Sequence, residues 1–114
     1  MPESTAFDAL VFLPHDGGAG SSIACSTTSG TTAVAVEGHG YEQDRIMVTN
    51  YGSATAFIRY SFNPGVRSTI ACQAVLQGTQ VPFRLDNPRE ATLWVAACTA
   101  AGETTLQITR GKGL

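Results

Sequence analysis

The sequence has little charge. Only 14% of its 114 residues are Asp, Glu, Lys or Arg, whereas 43% are hydrophobic. Long solvated helices carry more Glu and Lys than this, so the shortage of charge favours a β-rich protein. Seven basic against nine acidic residues give a formal net charge of −2, and the basic residues form no cluster along the chain. The basic patch of a nucleic-acid-binding protein is therefore missing, and we predict no DNA or RNA partner.

Long apolar runs are also absent. No stretch approaches the roughly 18 apolar residues of a membrane-spanning helix, so we predict no membrane partner. Met1 is followed by Pro-Glu-Ser-Thr instead of the basic and then apolar leader of a signal peptide, and we expect synthesis in a cytoplasm. A chain of this length supports one hydrophobic core. We expect a single domain over residues 1–114, with the polar residues 1–6 as a flexible arm.

Cysteine and histidine are scarce. Cys25, Cys72 and Cys98 are odd in number and widely spaced, which fits buried free thiols better than a disulfide framework or a zinc site. His15 and His39 are the two histidines. Neither belongs to a motif with the paired spacing of metal ligands, and acidic neighbours in a Gly-rich stretch around His39 are more typical of a solvated turn.

The chain also lacks a catalytic signature. His15 and Asp16 could serve as a base and its orienting group, but no serine near them stands on a Gly-flanked nucleophile turn. The Gly-rich residues 16–22 lack the Lys-Ser/Thr ending and the following helix of a phosphate-binding loop. We therefore predict no enzymatic activity, no metal and no cofactor, and interpret residues 16–22 as a flexible loop.

What the chain does contain is a series of short stretches with strand composition, separated by Gly, Pro and Asn turns. In residues 45–50, Ile46, Val48 and Asn50 point to one side, as the period of two in a strand requires. Pro82 should lie at a sheet edge or a bulge, because it cannot donate a ladder hydrogen bond. The candidate strands are residues 8–13, 23–28, 31–36, 45–50, 55–62, 68–76, 80–85, 91–101 and 104–110, of which 23–28 is the weakest.

Residues 91–101 are the most ambiguous stretch. Asn87, Pro88 and Glu90 have the order of a helix start, and Gly102 could end that helix. Thr, Trp and Val favour a strand instead, and the apolar residues alternate. We predict a strand that forms a hairpin with residues 104–110 across a turn at residues 101–103.

Together these stretches predict an all-β fold, an antiparallel β-sandwich of jelly-roll type with seven or eight short strands. Exposed aromatic side chains could also mark a sugar-binding surface. The candidates for that role are Tyr41, Tyr51, Tyr60 and Trp94, although core packing explains Tyr60 and Trp94 equally well.

The second half of the chain contains, in order, Val48-Thr-Asn-Tyr-Gly52, AFIRYS (residues 56–61), Pro82, LWVAA (93–97) and GETTLQITRGKG (102–113). This order resembles a recurrent pattern in small virion proteins of tailed bacteriophages. The resemblance implies a structural role without catalytic residues: a decoration (cement) protein on the capsid lattice, or a neck or tail component. Residues 1–44 match no family pattern, and we expect the surface that distinguishes these roles to lie there.

The leading hypothesis is a capsid decoration protein that binds the outside of the head lattice and stabilises it. Its partners would be the major capsid protein and further copies of itself, as a homodimer or homotrimer, and its location the surface of the virion. Phe57 and Arg59 occupy the less apolar face of their strand and are candidate interface residues, together with Phe7, Asp16 and Ser22, which could become ordered on docking. A neck or tail protein and a host-surface or glycan-binding module are the alternatives.

Overall fold

The computed structural model describes residues 12–14, 20–36, 45–85 and 92–113. Within these ranges the chain forms nine β-strands and one turn of 3-10 helix, Ser29–Thr31. All strand pairs are antiparallel. The strands are β1 (Phe12–Pro14), β2 (Gly20–Cys25), β3 (Val34–Val36), β4 (Arg45–Asn50), β5 (Ala56–Ser61), β6 (Gln73–Val75), β7 (Gln80–Arg84), β8 (Leu93–Thr99) and β9 (Thr104–Gly113).

These strands form two sheets. In the first sheet β4 lies between β7 and β9, and both β1 and β2 pair with β9 along its other side. In the second sheet the order is β3-β8-β5-β6. Counted from β2 as strand 1, the two sheets have the orders 1-8-3-6 and 2-7-4-5. This is the strand order of a jelly roll, so the predicted all-β sandwich is confirmed.

Residues 93–99 are a strand, as predicted, but the predicted hairpin with β9 is wrong. β8 pairs with β3 and β5 in the second sheet, whereas β9 pairs with β1, β2 and β4 in the first. The turn at residues 100–103 therefore carries the chain from one sheet to the other. A short Gly-containing turn between two apolar strands fits both arrangements, because it fixes the change of direction and not the hydrogen-bonding partner.

The prediction of a flexible loop over residues 16–22 is wrong for residues 20–22, which begin β2. Gly20 lies opposite Thr109 of β9. A Cβ atom on Gly20 would be 2.5 Å from the carbonyl oxygen of Ile108, so this glycine allows a close approach of two strands. Residues 15–19 lie outside the described ranges, as do residues 1–11 with the predicted arm.

The predictions for the strands on either side of the turn at residues 76–79 had different outcomes. Pro82 lies in the middle of β7, which among the described strands pairs only with β4 and is an edge of the first sheet, as expected. The strand predicted over residues 68–76 is limited to Gln73–Val75. Before it, Ser68 packs on the outer side of the second sheet, where its hydroxyl donates to the Phe57 carbonyl at 2.6 Å and its N–H donates to the Gly30 carbonyl at 2.9 Å.

The core lies between the sheets and follows the alternation of the sequence. Ile46, Val48 and Asn50 are all buried, and the residues between them are only half-buried. In β5, Ala56 and Ile58 are buried while Arg59 is exposed. The buried hydrophobic cluster consists of Ile23, Cys25, Val36, Ile46, Val48, Ala56, Ile58, Val75, Leu85, Leu93, Val95, Ala97, Leu106 and Ile108.

Candidate functional site at the uncharged end

Four connections meet at one end of the sandwich, which we call the Tyr51 end. They are residues 26–33 between β2 and β3, 51–55 between β4 and β5, 76–79 between β6 and β7, and 100–103 between β8 and β9. Register places them together, because Cys25 lies opposite Thr104 and Ala56 lies opposite both Thr99 and Val75. Glu103 is the single charged residue in the four connections.

A buried asparagine holds this end together. The Asn50 side chain is completely buried, and its amide nitrogen donates to the carbonyls of Ala54 (2.8 Å) and Val75 (2.9 Å). Its amide oxygen accepts from the Thr104 hydroxyl (2.6 Å) and the Gly52 N–H (3.2 Å). Both donor hydrogens and both acceptor positions are used, so one side chain ties three parts of the chain together without leaving a buried polar group unsatisfied.

The remaining connections are fixed in a similar way by neutral groups. The Thr99 hydroxyl donates to the Gly102 carbonyl at 2.6 Å, and the Ser29 hydroxyl donates to the Ala97 carbonyl at 2.6 Å. Gly52 packs so closely against Thr104 that a Cβ atom would overlap the threonine hydroxyl. Because these partners are carbonyls and hydroxyls within the fold, the Tyr51 end is ordered before any partner binds.

Apolar side chains nevertheless remain exposed here. Tyr51 is 61% exposed and Leu76 is 59% exposed, and both belong to connections that hydrogen bond to Asn50 or its neighbours. The Gly78 N–H donates to the Asn50 carbonyl at 2.8 Å, which places the connection containing Leu76 next to Tyr51. Beside them, a cleft of about 450 Å³ lies between β2 and the Gly52 turn, with Glu103 on its wall. An ordered surface with exposed apolar groups and little charge is suited to docking on another protein.

The opposite end, which we call the Arg110 end, has a different chemistry. Arg45, Arg84, Arg110 and Lys112 lie there, at the start of β4 and the ends of β7 and β9. The Arg110 side chain is completely buried, with its guanidinium carbon 5.6 Å from the centre of the Phe62 ring. Loss of hydration on burial lowers the pKa of Arg110 from its ordinary value.

The predicted interface residues do not form one surface. Phe7 and Asp16 lie outside the described residues. Ser22 is exposed on the outer face of the first sheet, where its hydroxyl donates to Gln107 at 2.9 Å. Phe57 and Arg59 belong to the outer face of the second sheet, on the other side of the sandwich. Arg59 and Arg67 line a cleft of about 310 Å³ there.

Other residues considered from the sequence are also separated. His15, His39 and Tyr41 lie outside the described ranges. Tyr60 packs against the core with its hydroxyl 3.3 Å from the Arg84 carbonyl, and Trp94 is half-buried, so Tyr51 is the one strongly exposed member of the aromatic set that the structure describes. Cys25 and Cys98 are buried free thiols as predicted, whereas Cys72 is only partly buried.

Among the described residues, no three His, Cys, Asp or Glu side chains come together as a candidate metal site. In the same ranges there is no helix with the length and hydrophobicity that a membrane crossing requires.

Asn50 lies on the buried face, as its position in the alternating strand predicts, but its hydrogen-bonding role was not predicted. The signal was present, because a polar residue at an inward position of an alternating strand needs buried hydrogen-bond partners. The same reasoning applied to β9 would have placed Arg110 inside, two residues after Ile108. Exposure of Tyr51 and Leu76 had no such signal, because their apolar character alone favours burial.

The chain is a jelly-roll β-sandwich with an ordered, nearly uncharged surface at one end. No protein-family model matches the chain, and neither a curated protein nor a solved structure matches it.

Proposed function

We propose that this protein is a structural component of a tailed-bacteriophage virion, a decoration (cement) protein that binds the major capsid protein on the outside of the head. The resemblance of residues 48–113 to small phage virion proteins motivates this proposal. The jelly-roll fold is compatible with it, since viral capsid proteins are among its frequent users, but a fold alone does not define a function.

The observation that carries the proposal is the Tyr51 end. A decoration protein needs no chemistry, because it stabilises a shell by burying surface in many symmetric copies. Its docking surface should therefore be ordered in advance, poor in charge and equipped with apolar anchors. The Asn50 hydrogen bonds provide the order, and Tyr51 and Leu76 provide exposed anchors. Little conformational entropy would be lost when such a surface binds.

The proposal moves the predicted interface. From sequence we expected contacts through Phe7, Asp16, Ser22, Phe57 and Arg59. Because Ser22 belongs to the first sheet and Phe57 and Arg59 to the second, one flat contact cannot include all of them. The Tyr51 end is continuous and draws on the connections between both sheets, so we assign the capsid contact to it.

A binding assay tests the assignment. Phage heads that lack the protein are incubated with the wild-type protein or with a Tyr51→Ser/Leu76→Ser double variant, and the bound fraction is measured after the heads are pelleted. We expect the double variant to lose binding while keeping its circular dichroism spectrum. Ile70→Ser is the matched control, because Ile70 is 62% exposed but lies outside the Tyr51 end. Equal binding by the wild type and the double variant would refute the Tyr51 end as the contact.

Location within the virion is tested separately. Negative-stain microscopy of virions labelled for this protein should show label over the head. Label confined to the neck or tail would replace the decoration role with the neck or tail alternative.

The exposure of Tyr51 beside an open cleft favours a second candidate, a host-surface or glycan-binding module, because sugars stack on exposed aromatic rings. A glycan array distinguishes it. Glycan binding that is lost in Tyr51→Ser and kept in Ile70→Ser would support this candidate, and an array without signal would exclude it.

A further inference from the structure

Within the described residues, the two sheets have four edges, and three are protected against pairing with another chain. An open edge strand presents unpaired N–H and C=O groups, and proteins usually protect it by shortness, proline or charge. β3 and β6 are only three residues long. β7 contains Pro82 in its middle and ends at the exposed Arg84.

The fourth edge consists of β1 and β2, which both pair with β9 on the same side. β1 contains Pro14, but β2 has none of these protections. It is six residues long, Gly20–Cys25, and contains neither proline nor charge. It pairs with β9 over its whole length and, within the described ranges, with no strand on its other side. Its outward-facing residues Gly20, Ser22 and Ala24 are small, so another backbone can approach closely.

The adjacent edge of the second sheet supports β2. The Ser21 hydroxyl donates to the Ala35 carbonyl of β3 at 3.1 Å, which ties the two edges together on this side of the sandwich. β2 is therefore held from both sheets and can act as a rigid template for an added strand.

We propose that β2 pairs antiparallel with β2 of a second copy of this chain, around a two-fold axis perpendicular to the first sheet. Identical strands in antiparallel pairing satisfy this symmetry, and each copy offers the other the same row of groups. The inward and outward faces of the two copies match when Ser22 lies opposite Ser22 of the partner subunit. The uncharged sequence of β2 means that self-pairing brings no like charges together.

The resulting dimer would contain one continuous sheet with the order β7-β4-β9-β2 followed by the same strands of the partner in reverse. The register with Ser22 opposite Ser22 of the partner subunit aligns residues 20–24 of the two copies, and this pairing supplies about four to six backbone hydrogen bonds. The two Tyr51 ends would face away from each other, so one dimer could bridge two neighbouring subunits of a larger lattice. The dimer itself does not rest on the proposed capsid function.

Sedimentation equilibrium of the full chain tests the pairing. We expect a wild-type dimer, and a Ser22→Lys variant whose dissociation constant is higher by about fivefold or more, because like charges in opposed positions destabilise strand pairing. Ser22→Glu should weaken the dimer similarly. An equimolar mixture of the Lys and Glu variants should regain the wild-type association, because opposite charges then face each other across the two strands.

Gln80→Lys provides a matched control. Ser22 and Gln80 lie in the same row of the first sheet at its two edges, both are exposed, and each makes one cross-strand hydrogen bond of 2.9 Å, to Gln107 and Thr49 respectively. We expect Gln80→Lys to dimerise like the wild type. A monomeric wild type overturns the proposal. So does a dimer that Ser22→Lys leaves unchanged, one that Gln80→Lys weakens equally, or a charge mixture that fails to restore association.

Discussion

The two ends of the sandwich are closed by different chemistry. At the Tyr51 end, neutral groups meet in a hydrogen-bond network around Asn50, and Glu103 is the only charged residue in the four connections. At the Arg110 end, the described residues include four cationic side chains, and the contacts there include Arg110 with Phe62 and Tyr60 with Phe83. The Tyr51 end is therefore held together by hydrogen bonds between neutral groups. The Arg110 end is held together by contacts of a cation and of aromatic rings.

This difference matters for energetics. A hydrogen bond between neutral groups is worth about 1 kcal/mol net, but a buried polar group that loses its partner costs about 1–3 kcal/mol. Asn50 satisfies several such groups at once, so its removal leaves several buried polar groups without a partner, and the free-energy costs add. A cation over an aromatic ring tolerates variation in geometry and is worth about 1 kcal/mol at an exposed site and about 2 kcal/mol when desolvated. Loss of a group in the buried network at the Tyr51 end should therefore cost more than loss of a similar group in an exposed turn, and the predictions below test that difference.

The largest effect is expected from Asn50→Ala. This change leaves the carbonyls of Ala54 and Val75 and the hydroxyl of Thr104 without their partner in a buried site. We expect the free energy of unfolding to fall by about 3–4 kcal/mol, measured by urea denaturation.

Asn63→Ala is the control, because the Asn63 side chain also accepts a turn hydrogen bond, from the Gly65 N–H at 2.8 Å, but is exposed. It should cost less than about 1 kcal/mol. Equal losses in the two variants would mean that burial of the network does not distinguish the Tyr51 end.

A smaller but still clear loss is expected from Gly52→Ala. The added Cβ would overlap the Thr104 hydroxyl and disturb its hydrogen bond to Asn50, and we expect a loss of about 2 kcal/mol by urea denaturation. Gly65→Ala is the comparison, because its Cβ would meet only the Asn63 side chain, at 3.2 Å, in an exposed turn. If Gly52→Ala unfolds at the same urea concentration as Gly65→Ala, the close packing of Gly52 against Thr104 does not contribute to the free energy of unfolding.

The sequence predicted the fold well because alternation is a strong and local signal. The inward positions Ile46 and Val48 were read directly from the period of two, and Pro82 was placed at a sheet edge or a bulge because it lacks a donor. The hairpin between β8 and β9 failed for a physical reason. Which strand accepts the hydrogen bonds of β9 depends on residues far away in the sequence, and a short turn contains no information about them.

The candidate site was much less predictable. A sandwich end is assembled from four separated connections, so its composition is visible only after the strand order is known. Asn50 was recognisable as an inward polar residue, but its partners Ala54, Val75 and Thr104 are backbone groups or short side chains without a motif. Ser22 was chosen as a residue of a flexible loop, and the structure instead places it on the open edge strand β2.

The smallest effect concerns pH and the buried thiol at the Tyr51 end. Loss of hydration on burial, with a contribution from the nearby Cys98, raises the pKa of Cys25 from its ordinary value of 9.0 to about 11. Below pH 9 the thiol is protonated in both the folded and the unfolded chain, so its ionisation does not affect stability. Between pH 9 and 11 only the unfolded chain releases the proton, and folding stability falls by about 2 kcal/mol over that window.

A Cys25→Val variant should lack this fall. The difference in unfolding free energy between the variant and the wild type should therefore change by about 1–2 kcal/mol from pH 8.5 to pH 10.5. Cys72→Ser is the control, because a hydrogen bond from the Thr69 N–H lowers the pKa of the Cys72 thiol, and its contribution has the opposite sign. A constant difference between the wild type and Cys25→Val across this range would show that Cys25 ionises as easily in the folded chain as in the unfolded one, and that the interior of the Tyr51 end is open to water.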